Sequence, residues 1–179
     1  PAVWWRGTHA SNSATVNRGS VGVAFTYGDT ATLTALRVGS QGSLSDATVQ
    51  CGEGLTLTTL TVVSGTVKLQ ASVTTINQNG GELTMQGTGL TTTTATFKGG
   101  TWNYDGTGTV TNTTMYDGAI LVTDRDPRTS KTFTNVTANK GCGFKNGNKT
   151  ANFPNGVVLN CAIDDISPRE FGEGGTLTF

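Results

Sequence analysis

Charge is scarce in this sequence and unevenly placed. Twelve basic and twelve acidic residues cancel over 179 positions, and between positions 54 and 116 only Lys68, Glu82, Lys98 and Asp105 are charged. A zero balance excludes a nucleic-acid clamp, which needs a basic excess to neutralise phosphates. The sole histidine, His9, has no Ser, Cys or Asp arrangement around it that would make it a triad base. Walker, Rossmann and zinc-ligand patterns are missing too, so no cofactor and no metal is expected. Three cysteines, Cys51, Cys142 and Cys161, cannot all pair within one chain and none has CxxC spacing. They read as small buried free thiols, which favours assembly inside a cell. No apolar run reaches the length of a membrane span, and Pro1 is not followed by a basic-then-apolar leader. The expectation is a soluble chain with no membrane partner, a mature secreted chain being the alternative.

Threonine and glycine fill the space that charge leaves. The chain has 35 Thr and 25 Gly, and no stretch has the Ala-Glu-Lys-Leu bias of a long helix. The class is all-β. Four segments repeat one phrase, a glycine followed by alternating apolar residues: Gly65-Thr66-Val67-Lys68-Leu69, Gly81-Glu82-Leu83-Thr84-Met85, Gly100-Thr101-Trp102-Asn103-Tyr104 and Gly118-Ala119-Ile120-Leu121-Val122. Their glycines are 16, 19 and 18 residues apart, which suits one coil of a β-solenoid and is too short for a helical repeat.

Residues two apart on a strand share a face. The phrase therefore predicts that Val67 and Leu69, Leu83 and Met85, Trp102 and Tyr104, and Ile120 and Val122 stack inward, with Thr66, Thr84 and Thr101 outward. Each glycine supplies the corner ahead of its strand. A second apolar position upstream of each corner, at Leu60, Ile76, Phe97 and Met115, gives each coil at least two walls. Unequal coil lengths point to a single-stranded, right-handed parallel β-helix with variable loops and irregular capping ends.

One domain, 1–179, is expected, in three parts. Residues 31–123 form the solenoid body, and 124–179, opened by the charged Asp124-Arg125-Asp126-Pro127-Arg128, form irregular closing coils. Residues 1–30 do not follow the repeat. There Trp4, Trp5 and Arg6 have the composition either of a cap over the first coil or of an attachment anchor, since Trp and Arg are enriched at interface hot spots.

Candidates for chemistry are few. Asp124 and Asp126, and Asp164 and Asp165, are the carboxylate pairs a β-helical hydrolase or lyase would need, but neighbouring residues on a strand face opposite ways, so salt-bridged or solvated loops are expected. Lys140, Lys145 and Lys149 lie in a Gly- and Asn-rich setting that reads as a solvated loop. No nucleophile is supported, and the chain is not expected to be an enzyme. Thr61, Thr96 and Thr114 each stand four residues before a corner glycine and form a possible outward ladder, with Asn77 in the equivalent place of the coil between. Such ladders resemble those of β-helical ice-binding proteins, from which variable coil length is a departure.

A Gly/Thr-rich, low-charge chain with an aromatic amino terminus and loose β-coils is similar in style to the small β-helical virion proteins of tailed phages. That resemblance implies a homotrimer, located in the virion and assembled in the host cytoplasm, that decorates and cements a capsid by binding the major capsid protein or other virion subunits. A tail-spike or fibre adhesin for host glycans is the alternative. A polysaccharide-degrading enzyme and an ice-binding protein are lesser ones. The uncharged, hydroxyl-rich side wall lacks the usual defence against lateral association, which also points to protein contacts.

Overall fold

Among the described residues every strand runs parallel to its neighbours. In the computed structural model the residues described are 3–5, 7–8, 12–24, 28–41, 47–126, 131–147, 151–170 and 177–178. The strands in chain order are β1 (Val3–Trp5), β2 (Gly7–Thr8), β3 (Ser13–Val16), β4 (Ser20–Val23), β5 (Ala31–Val38), β6 (Thr48–Cys51) and β7 (Leu55–Val62). There follow β8 (Thr66–Leu69), β9 (Val73–Gln78), β10 (Glu82–Met85), β11 (Leu90–Phe97), β12 (Gly100–Tyr104), β13 (Gly108–Met115) and β14 (Ala119–Val122). The chain closes with β15 (Lys131–Ala138), β16 (Gly143–Lys145), β17 (Ala151–Asn152), β18 (Val157–Leu159), β19 (Arg169–Glu170) and β20 (Leu177–Thr178).

These strands alternate between two sheets. Wall one is ordered β1-β4-β6-β8-β10-β12-β14-β16-β19, and wall two β2-β5-β7-β9-β11-β13-β15-β18-β20, with β3 also on β5 and β17 on β15. The chain is therefore a β-solenoid of about seven turns, each coil giving one strand to each wall. The repeat extends further than the sequence suggests. β1 pairs with β4 in wall one and β3 with β5 in wall two, so the described strands before residue 31 already contribute to both walls. Likewise β15, β16 and β18 continue both walls beyond residue 123.

The interior is built of columns. In wall one, Val49, Val67, Leu83, Trp102, Leu121 and Phe144 are in register, and beside them runs a second column of Cys51, Leu69, Met85 and Tyr104.

 Met85 thus sits between Leu69 below and Tyr104 above, and all of these wall-one side chains are buried. In wall two the inward columns are Leu33-Leu57-Val73-Thr92-Val110-Phe133, Leu36-Leu60-Ile76-Ala95-Thr113-Val136-Val157 and Val38-Val62-Gln78-Phe97-Met115-Ala138-Leu159. Large and small residues offset one another. Where Trp102 and Tyr104 enter, wall two narrows to Thr92, Ala95 and Thr113, and an aromatic stack of Phe97, Trp102, Tyr104 and Phe133 fills the layer at centroid distances of 4.3 to 5.6 Å. Gln78, fully buried, donates from Nε2 to the Gly81 and Thr101 carbonyls at 3.1 and 3.0 Å, tying the interior to the corner.

That corner explains one correction. Gly65, Gly81 and Gly100 stack with φ of +83, +71 and +82°, and a Cβ on Gly81 or Gly100 would meet the carbonyl oxygen of the glycine below at 2.5 or 2.3 Å. The fourth phrase is shifted by one. Gly100 pairs with Ala119, so Gly118 stands level with Gly99. Ile120 therefore aligns with outward Thr101 and Val122 with outward Asn103, while Ala119 and Leu121 face the core. Ile120 and Val122 are not members of the interior stack. Val122 is nevertheless largely buried, as are Thr84 and Asn103 on the same outer face.

Candidate functional site

The outer face of wall two is the most regular surface on the molecule. Its strands alternate inward and outward until one position, where two consecutive residues both point out: Thr34-Ala35, Thr58-Thr59, Thr74-Thr75, Thr93-Thr94, Thr111-Asn112 and Thr134-Asn135. Each register skips a rung there, running for example Leu57↔Val73 and resuming at Thr59↔Thr75. The alternation resets along this line and bends the wall into two facets.

The first facet carries two hydroxyl columns. One holds Thr32, Thr56, Thr91, Thr109 and Thr132, with Ser72 in the gap between Thr56 and Thr91. The other, fixed by the registers on either side, holds Thr34, Thr58, Thr74, Thr93, Thr111 and Thr134. The second facet carries Ala35-Thr59-Thr75-Thr94-Asn112-Asn135 and Arg37-Thr61-Asn77-Thr96-Thr114-Thr137-Val158. Arg37 is the one charged side chain in the four columns. The ladder expected at Thr61, Asn77, Thr96 and Thr114 is thus in register. Coil length varies in the corners and leaves the lattice intact.

Side-chain amides lock part of the second facet. Asn155 donates to Asn135 Oδ1 at 2.7 Å, Asn135 to Asn112 Oδ1 at 3.0 Å, and Asn112 to the Thr93 carbonyl at 3.3 Å. A second ladder runs from Asn160 to Asn139 Oδ1 at 3.3 Å and from Asn139 to the Met115 carbonyl at 2.8 Å. The two large hydrophobic side chains exposed among the described residues, Tyr116 at 41% and Val158 at 40%, lie on or beside this facet. Sequence reading missed both, because each looks like one more apolar member of a strand.

Wall one is covered in part, over Thr84, Asn103 and Val122, while Lys68 and Glu82 on the same face stay exposed. The segment after β14 folds over its outer face, where Arg125 lies 3.8 Å from Glu82 and 3.5 Å from Asp105. Asn103 Nδ2 donates to Glu82 Oε1 at 2.6 Å. Lys131, fully buried, anchors the segment by donating to the Thr123 and Asp126 carbonyls at 2.8 and 2.6 Å. Burial raises the Asp105 carboxyl above its ordinary value and outweighs the opposing pull of Arg125. The charged loop is therefore a salt-bridged strap. Asp164 pairs with Arg169 and Asp165 with Lys140, so each carboxylate of that pair is taken up by its own cation.

The remaining sequence candidates fall as follows. Cys51, Cys142 and Cys161 are free thiols; burial pushes Cys51 up to about 12 and Cys142 up to about 11. Trp4 and Trp5 lie in β1, opposite Gly22 and Val23 of β4, and their side chains, with Arg6 and His9, lie outside the described residues. Among the described residues no group of three or more His, Cys, Asp or Glu could hold a metal ion. Nor is any helix among them long and apolar enough to cross a membrane. No family model, curated protein or solved structure matches this chain.

Proposed function

We propose that the chain is a structural virion protein that decorates and cements a capsid as a homotrimer. One observation carries this reading: the strands of wall two present no charged side chain outward but Arg37, and the large hydrophobic side chains exposed among the described residues are Val158, on the second facet, and Tyr116, just past the end of β13. Side chains held on parallel strands lose little freedom when a partner covers them, and Thr and Asn bring no charge to desolvate. Tyrosine beside an apolar residue and a polar rim is the usual make-up of an interface centre. Six rungs spaced about 4.8 Å apart make such a face roughly 24 Å tall, enough for a lateral contact between copies. Closed rotational symmetry uses it without generating fibres.

Attachment to the major capsid protein or other virion subunits falls to the amino-terminal coil. β1 ends the order of wall one with β4 as its neighbour, and its Trp4 and Trp5 are followed by Arg6. Sedimentation velocity at micromolar concentration tests the lateral contact. The wild type should run as an oligomer, and Tyr116→Lys combined with Val158→Lys should run as a monomer with unchanged circular dichroism. A wild type that stays monomeric across a dilution series refutes the oligomer.

A second reading has one observation in its favour. The first facet repeats outward Thr-x-Thr in register on successive rungs, the lattice that likeness to ice-binding proteins calls for. The bend and the shorter β9 interrupt its flatness. Thermal hysteresis from a monomer would favour that reading over the virion one.

A further inference from the structure

We propose that Asn79 is a modification site, at which the side-chain amide is lost by spontaneous closure onto the backbone of Gly80. An asparagine followed by glycine is open to this chemistry because no Cβ shields the next backbone nitrogen. The chain has three such pairs, Asn79-Gly80, Asn146-Gly147 and Asn155-Gly156. The fold treats them differently.

Two of the pairs are held. Asn146 is 2% exposed and bonded at both ends of its amide: Oδ1 accepts from the Ala151 N–H at 3.0 Å and from Thr123 Oγ1 at 2.8 Å, and Nδ2 donates to the Ala151 carbonyl at 3.2 Å. Asn155 is exposed, but its Nδ2 donates to Asn135 Oδ1 at 2.7 Å and the Gly156 N–H donates to the Phe153 carbonyl at 2.9 Å. At the third pair neither reacting group is engaged. Asn79 is exposed at the corner between β9 and β10; among the described residues its side chain has no hydrogen bond and the Gly80 N–H has no acceptor. The Asn79 backbone amide donates to the Val62 carbonyl at 2.7 Å, so the corner keeps its shape while the side chain turns.

The reaction balances with water alone. Solvent base takes the Gly80 amide proton, the nitrogen bonds to Asn79 Cγ, and the Cγ–Nδ2 bond breaks as Nδ2 takes a proton from water and leaves as ammonia. Water then opens the resulting cyclic imide at either carbonyl, giving aspartate or, with the main chain rerouted through Cγ, isoaspartate. Both products replace a neutral amide with a carboxylate. Lys98 stands on the next rung, its amide donating to the Gln78 carbonyl at 2.7 Å, and Tyr116 on the one after, its amide donating to the Phe97 carbonyl at 2.8 Å. The new charge thus falls one rung from a cation and two from an exposed tyrosine. The corner tells the products apart: a Cβ on Gly80 would meet the Val63 carbonyl oxygen at 2.9 Å, and one on Gly99 the Asn79 carbonyl oxygen at 3.0 Å, so the extra main-chain atom of isoaspartate has little room. The site does not rest on the lateral contact proposed above.

Peptide mapping of the full chain, held at mildly alkaline pH in native buffer and in guanidinium chloride, tests the site by mass spectrometry that separates aspartate from isoaspartate products. In denaturant the three pairs should convert at similar rates. In the native protein Asn79 should convert at least roughly tenfold faster than Asn146 and Asn155, which must first open locally. Asn79→Gln, whose longer side chain closes a ring far more slowly, should remove the native-state product with unchanged circular dichroism. Asn79→Asp should keep the wild-type melting temperature, and the isolated isoaspartate form should melt lower. Native Asn146 or Asn155 converting as fast as Asn79 overturns the proposal, as does an Asn79 that stays intact in the native protein while the denatured chain converts. An isoaspartate form that melts with the wild type would overturn the reading of the corner. These rates are read on single peptides whatever the state of association, so this site and the oligomer stand or fall separately.

Discussion

Replacing Thr113 with valine should make this protein more stable. Thr113 is 2% exposed, between Ala95 and Val136 in a column otherwise apolar from Leu36 to Val157, and its Oγ1 has no hydrogen-bond partner. Valine keeps the branched shape, so the change removes a desolvated hydroxyl without opening a cavity. A buried polar group left unsatisfied costs about 1–3 kcal/mol, and the substitution should recover an amount in that range. For a chain of this size 2 kcal/mol corresponds to a rise of roughly 4–8 °C in melting temperature. The assay is urea unfolding followed by fluorescence and circular dichroism together, with Thr94→Val, one residue outward of Ala95, as the exposed control expected to stay within about 0.5 kcal/mol. A loss of stability in Thr113→Val would refute the reasoning, since it would mean that the hydroxyl has a partner inside the coil.

Gly100→Ala should destabilise far more than Gly118→Ala by chemical denaturation: both have positive φ, which costs about 1–2 kcal/mol, but only at Gly100 does the new Cβ run into a backbone carbonyl. Asp105→Asn should not lower the melting temperature at pH 7. Because the folded carboxyl is raised above 3.8, the wild type gains stability as pH falls through the folded value towards the unfolded one, and the variant should lose that part of the pH dependence. In the native protein at pH 8 a thiol reagent should modify Cys161 alone, with Cys51 and Cys142 reacting only after denaturation.

The solenoid was legible because its corners are obligatory glycines. Gly65, Gly81 and Gly100 mark a place where backbone stacks on backbone, and the period of two after each fixes the inward pairs from Val67 to Tyr104. The last phrase misled because Gly99-Gly100 offers two glycines for one corner, and Gly118 matches the first of them. Ile120 and Val122 then moved outward together, as a slip of one residue must move them. The bend in wall two was hidden for a related reason. Runs such as Thr91-Thr92-Thr93-Thr94 have no apolar alternation to betray two consecutive outward residues, and only pairing with Val110 on one side and Asn112 on the other reveals them.

Copy number in purified particles tests the structural reading most directly. Quantitative mass spectrometry against the major capsid protein, using peptides of both chains as internal standards, gives the ratio. A decoration protein predicts hundreds of copies per particle in a fixed proportion to the shell subunit, and the same particles stripped of it should expand or break more easily under heat. A handful of copies would place the chain in the tail, and its absence from particles would contradict the virion assignment outright.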